Sequence, residues 1–197
     1  MKKLVSILIM VIMLTGCTAV RINVKDIDNI VKVVLSKDNE LYNHIGKGYK
    51  YYIPRGVTYI DTNDFNDKLY SEGNYYYLYI DAISYYHNKE MQYSKNKNSI
   101  FYEEIDINNK KGYIDIIETN GKYLIVFVYN YARIESLVEK EDINKVILNS
   151  SYILSTIKFN NKVIKIMLDE EYFKYKEEKF ELFEKEEVKE NLLEFNE

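Results

Sequence analysis

The sequence predicts an α+β fold in which a largely antiparallel sheet of about six strands is packed between helices. Three observations predict it. Apolar residues recur at helical spacing from Asp26 to Leu35 and again from Ile143 to Ile157. Between these segments, Tyr49 to Tyr131 alternates in twos and is cut by turn residues. Among those turns, Asn120-Gly121 is the strongest hairpin signal, because both residues tolerate the positive φ of a type I′ turn.

At the N-terminus, Lys2 and Lys3 precede an apolar run from Leu4 to Leu14, interrupted only by Ser6. As a helix, about 11 residues cover ~17 Å against the ~30 Å of a bilayer core, so the run suits export better than a permanent span. Residues 1–16 are expected to be a cleaved signal peptide, residues 17–25 a tether, and residues 26–197 one α+β domain with a charged extension from about residue 160.

The first helix is expected over Asp26–Leu35, with Ile27, Ile30, Val31, Val34 and Leu35 on one stripe and Asp26 capping its start. Turn residues follow to Gly46-Lys47-Gly48, and the only proline, Pro54, separates two short strands. Strands are expected near Tyr49–Ile53, Val57–Asp61, Tyr75–Tyr86, Phe101–Ile107, Tyr113–Glu118 and Lys122–Tyr131. Glu72-Gly73-Asn74, Asn108-Asn109 and Asn120-Gly121 supply turns between them.

A second helix carries Ile143, Val146, Ile147, Ser150, Leu154 and Ile157 on one face, with Glu139, Glu141 and Asp142 where the macrodipole favours acids. Beyond it, a short helix is expected near Val163–Leu168, a strand near Lys179–Phe183 and a final helix near Val188–Phe195.

Composition narrows the classes of function. Residues 17–197 carry 25 basic and 31 acidic side chains, an acidic balance that disfavours nucleic acid as a partner. Cys17 is the only cysteine, so the chain has no internal disulfide. Codons rich in A and T encode Lys, Asn, Ile and Tyr, so part of the abundance of the 21 tyrosines is genomic background.

Leu14-Thr15-Gly16-Cys17 resembles the lipobox of bacterial lipoproteins. The resemblance implies that the Cys17 sulfur receives diacylglycerol, that cleavage before it exposes a new N-terminus open to a further N-acyl (palmitate-type) chain, and that the protein sits on the outer, extracytoplasmic face of the cell membrane. Two acyl chains at about 0.8 kcal/mol per buried methylene suffice for lasting attachment.

Gly48-Tyr49-Lys50-Tyr51-Tyr52-Ile53-Pro54-Arg55-Gly56-Val57 is similar to the opening of PsbP-like domains, and Ile153-Leu154-Ser155-Thr156-Ile157-Lys158-Phe159 to the end of their C-terminal helix. Together they bracket residues 48–159, with Val57 where that family usually has Trp. This resemblance implies an α/β/α sandwich and a scaffold or accessory role at a larger membrane complex. It transfers no functional residue.

Catalytic motifs are absent from the sequence: it has no Gly-rich phosphate loop, His-Glu-x-x-His or Gly-x-Ser-x-Gly. A histidine metal site would need His44 and His87 to converge from separate turns. Glu104 and Asp106 share a strand face, as an acid/base pair or a solvated edge.

In Tyr75–Tyr86, Tyr76, Leu78, Ile80 and Ala82 form one side and Tyr75, Tyr77, Tyr79, Asp81, Ile83 and Tyr85 the other; Lys122–Tyr131 divides similarly, with Tyr123 and Tyr129 on its aromatic side. Neither side is plainly wet, so cover is expected on both. Tyr75, Tyr77, Tyr79, Asp81, Tyr85, Tyr123 and Tyr129 are therefore a candidate platform for glycan, peptide or lipid, or else a covered layer in which a phenol donates to Asp81. Lys89–Lys97 is a locally basic run suited to anionic headgroups, wall polymers or simple solvation.

The expectation is a lipid-anchored, non-catalytic accessory or binding protein of the cell envelope, needing no cofactor beyond its lipid and meeting the membrane and an envelope complex. A ligand carrier using the tyrosine face and an envelope hydrolase using carboxylates are the alternatives.

Overall fold

The computed structural model describes residues 24–63, 65–89 and 93–169. Cys17, residues 1–16, the expected strand at Lys179–Phe183 and the expected helix at Val188–Phe195 lie outside them. Among the described residues, no helix is long and apolar enough to cross a membrane.

Helix α1 (Val24–Leu35) buries Ile27, Val31, Val34 and Leu35 on one stripe. Asp26, expected at the cap, lies inside the first turn because the helix begins two residues earlier. Two very short strands follow, β1 (His44–Ile45) and β2 (Tyr49–Tyr51), paired antiparallel.

The main sheet contains β3 (Thr58–Asn63), β4 (Asn66–Ser71), β5 (Asn74–Ile80), β6 (Ser99–Ile107), β7 (Lys110–Thr119), β8 (Lys122–Tyr129) and β9 (Ala132–Val138). Its order is β3-β4-β5-β9-β8-β7-β6, with every neighbouring pair antiparallel. The α+β expectation holds, with seven strands in this sheet and a second sheet of three, β1-β2-β10, where β10 is Lys158–Phe159.

Tight turns set the register. Asn108-Asn109, Asn120-Gly121 and Asn130-Tyr131 all have positive φ at both positions, the conformation that matches the right-handed twist of a hairpin. The first two were legible in the sequence. Asn130-Tyr131, with φ 51° and 62°, was not, because a tyrosine there runs against turn chemistry. The expected Lys122–Tyr131 strand therefore stops at Tyr129, and the chain reverses into β9.

The expected Tyr75–Tyr86 strand also ends early. Asp81 leaves the sheet after Ile80, and its Oδ1 accepts the Ser84 N–H at 2.9 Å, capping the short helix α2 (Ala82–Tyr86). Strand β4 was missed altogether, because Asn66-Asp67-Lys68-Leu69-Tyr70-Ser71 has one aliphatic residue and reads as loop.

Helix α3 (Ile143–Ser155), entered through a 3₁₀ turn at Lys140–Asp142, packs against α1 and over β8 and β9. It covers the side of the sheet that carries Leu69, Tyr76, Leu78, Ile134, Phe127, Ile125, Ile114 and Ile116, all fully buried. The short helix expected near Val163–Leu168 is α4 (Asn161–Asp169), which drives Ile164 into the same core.

On the other side, among the described residues, the segment entering β6 crosses the sheet: Tyr93 sits on Tyr113 at 5.0 Å between ring centroids, the Asn96 N–H donates to Asp115 Oδ2 at 3.4 Å, and the Ser99 hydroxyl donates to Asp115 Oδ1. Arg133 and Glu135 form an ion pair on the same side, which keeps the buried Glu135 carboxylate partnered.

Candidate functional site

The structure splits the expected tyrosine set among three places. Tyr75, Tyr77 and Tyr79 share one face of β5, in register with Tyr70, Lys68 and Asn66 of β4. There the Lys68 ammonium lies 4.5 Å from the Tyr75 ring centroid and 5.5 Å from that of Tyr77, so a cation of the protein itself occupies the aromatic faces.

Tyr123 and Tyr129 are buried on the opposite face, opposite Val138 and Ala132, and the Tyr129 hydroxyl donates to the Ile107 carbonyl at 2.9 Å. Register explains the division: Tyr77 pairs with Glu135, which pairs with Val126, so the even positions of β8 share the face of Tyr77. Tyr85 is on α2, stacked on Phe159 at 3.8 Å, while Asp81 caps that helix and accepts no phenol among the described hydrogen bonds.

The carboxylates weighed as an acid/base pair or a solvated edge lie at the edge of the large sheet. Glu104 and Asp106 are both exposed on the edge strand β6, and Glu104 accepts the Tyr102 hydroxyl at 3.3 Å. His87 is exposed beside Tyr86, whereas His44 stacks on Tyr59 at 4.6 Å, so each ring belongs to its own neighbourhood. Among the described residues, no three His, Cys, Asp or Glu side chains gather as a metal ion requires. Lys89 and Lys95 are exposed, and residues 90–92 of that basic run lie outside the described residues.

What the sequence did not reveal is the attachment of the small sheet to the large one. Asp67 of β4 is 2% exposed, and its Oδ2 accepts the hydroxyls of Tyr49 and Tyr51, each at 2.9 Å. The His44 imidazole lies 3.7 Å from the same oxygen. Burial pushes both phenols far above their ordinary value, and the adjacent charge of Asp67 adds to it, so both remain donors. A buried carboxylate thus gains two donors from one strand.

Because Tyr49 and Tyr51 point inward, Lys50 between them points outward. It lies over the Tyr42 ring at 3.8 Å and belongs to a groove of about 840 Å³ between the small sheet and α4. Lys47, Lys158 and Lys162 line the same groove, together with Ile45, Phe159, Val163 and Met167, and among the described residues no carboxylate does. Lys158 donates to Glu40 at 2.9 Å, and that hydrogen bond holds its pKa above the usual lysine value.

Two glycines shape the rim. A side chain at Gly46 would meet the Tyr49 ring, and Gly48, with φ +82°, places its Cα against Ile164 of α4. The groove is amphipathic, with apolar walls and cationic rims. Ile45, 72% exposed, stands open to solvent on this rim.

A second cavity of about 180 Å³ at the β3–β4 tip is lined by Asp61 and Asp67 among others. Asp61 pairs with Lys68 and Thr62 with Asp67, so the two aspartates project from opposite faces and cannot act on one substrate atom.

No family model, no curated protein and no solved structure matches this chain.

Proposed function

We propose that this chain is an extracytoplasmic lipoprotein, tethered to the outer face of the cell membrane through lipid on Cys17, that works without catalysis by offering its lysine-lined groove to an acidic polypeptide of an envelope complex. The observation that carries the reading is the groove itself: four lysines over an apolar floor, Lys158 among them paired with Glu40, and no acid in the lining among the described residues. Burying apolar contacts supplies affinity, while the lysines select against basic partners.

The placement of the groove supports the same reading. Helix α1 packs along β6, and its second end reaches the β6–β7 turn, where Asn108 Nδ2 donates to the Leu35 carbonyl at 2.9 Å. The groove lies at this second end, where Lys158 meets Asp38 and Glu40 just after α1. The N-terminal end of α1, from which the chain continues back toward Cys17, is the end away from the groove. The likeness of residues 48–159 to PsbP-like domains implies an accessory role of the same kind.

Two measurements test the proposal. The lipidated protein is expected to fractionate with membranes and its Cys17→Ser variant to be released. A fluorescein-labelled polyglutamate peptide is expected to bind the protein at low salt and to lose binding in Lys50→Glu/Lys162→Glu. Membrane retention of the Cys17 variant sinks the anchor, and equal peptide binding by the two proteins sinks the groove.

A further inference from the structure

Charge is unevenly divided along the chain. Residues 17–169 carry 20 basic and 20 acidic side chains, whereas residues 170–197 carry 5 lysines and 11 glutamates. All the net charge of residues 17–197 therefore belongs to the segment that follows α4. That segment also carries Leu182, Phe183, Leu192, Leu193 and Phe195 among its glutamates, the apolar content that a groove with apolar walls accepts.

Helix α4 lines the groove through Lys162, Val163 and Met167, so the acidic segment begins within a few residues of it. A covalently attached ligand of matching charge has an effective concentration near millimolar, well above that of most free partners. We propose that part of residues 181–197 occupies the lysine-lined groove of its own chain, so that an envelope partner has to displace it. This rests on the groove reading above and adds its regulation: the groove is occupied in cis until a more acidic or more apolar segment competes.

Reach alone does not select the groove. Twelve or more extended residues at ~3.3 Å each span ~40 Å, enough to touch most of the surface. Selection comes from charge and apolar fit, and this makes the proposal testable against lysines elsewhere.

Lipidated protein, half of it labelled with nitrogen-15, is treated with a carbodiimide that joins a lysine to a carboxylate at zero length, and the products are sequenced by mass spectrometry. The expected result is links within one molecule between glutamates of 181–197 and Lys47, Lys50 or Lys162, lost in about 1 M salt, where the screening length falls to ~3 Å. Lys97, Lys122 and Lys140, at the other end of the sheet, are expected to give none. Links spread over all these lysines, links found only between labelled and unlabelled molecules, or no links at all overturn the proposal.

A second arm separates this inference from the reading beneath it. Changing the glutamates of 181–197 to glutamine in the full chain is expected to tighten polyglutamate binding by about tenfold. Equal binding before and after that change overturns occupancy in cis while leaving the groove as a docking site. Failure of the peptide to bind either protein overturns both.

Discussion

Tyr51 donates its hydroxyl to Asp67 across 2.9 Å, and this bond ties the small sheet to the large one. Tyr49 gives the same oxygen a second donor. The floor of the groove is held by a carboxylate that no ligand in the groove needs to touch, which separates what positions the lysines from what binds.

Removing one phenol tests that tie. Tyr51→Phe is expected to lower stability by about 1.5–3 kcal/mol, as for a hydrogen bond to a charged group, read as a fall in the urea midpoint at unchanged slope. Asp67→Ala is expected to cost more, since it leaves two buried hydroxyls without their acceptor. A smaller loss in Asp67→Ala than in Tyr51→Phe contradicts the assignment.

Alkali should expose the buried phenols. Burial pushes Tyr93 and Tyr129 up to about 12 from the ordinary 10 and raises Tyr49 and Tyr51 as well. The folded state therefore holds protons that the unfolded chain releases near pH 10, and stability linked to these groups is complete below pH 10 and lost as pH rises through about 12. Absorbance at 295 nm should show a late-titrating subset of tyrosines that joins the main transition in urea.

Gly112 sits in β7 directly opposite Tyr129, and a Cβ there would run into the backbone of Val128 and Tyr129. Gly112→Ala is expected to destabilise by roughly 1–3 kcal/mol, the cost of overpacking. Thermal unfolding reads it, and a melting temperature within error of wild type refutes it.

Asp81 caps α2 through its Oδ1. Asp81→Ala is expected to cost about 0.5–2 kcal/mol in stability, and Asp81→Asn much less, because the amide oxygen still accepts the Ser84 N–H. Glycan or peptide binding measured on these variants should follow stability alone.

Much of the fold was readable from local chemistry. Asn108-Asn109 and Asn120-Gly121 announced their hairpins because the left-handed backbone of a type I′ turn restricts which residues can stand there, wherever the turn lies. The stripe of α3 was equally plain, since Val146, Ile147 and Leu154 repeat at the period of one buried face. Asn130-Tyr131 and β4 were not, because their partners in register supply the order that their own residues lack.

The sequence by itself determined the two long helices and the Asn108-Asn109 and Asn120-Gly121 hairpins, the acidic balance, the division of charge between residues 17–169 and 170–197, and the lone Cys17 with its lipobox-like surroundings. Each follows from residues near one another in the chain. Only the tertiary structure decided that Tyr123 and Tyr129 face away from Tyr77, that Asp67 gathers Tyr49, Tyr51 and His44, and that Lys50 and Lys162 meet across one groove. Strand register and sheet order bring these residues together, and both are set by burial summed over the whole sheet.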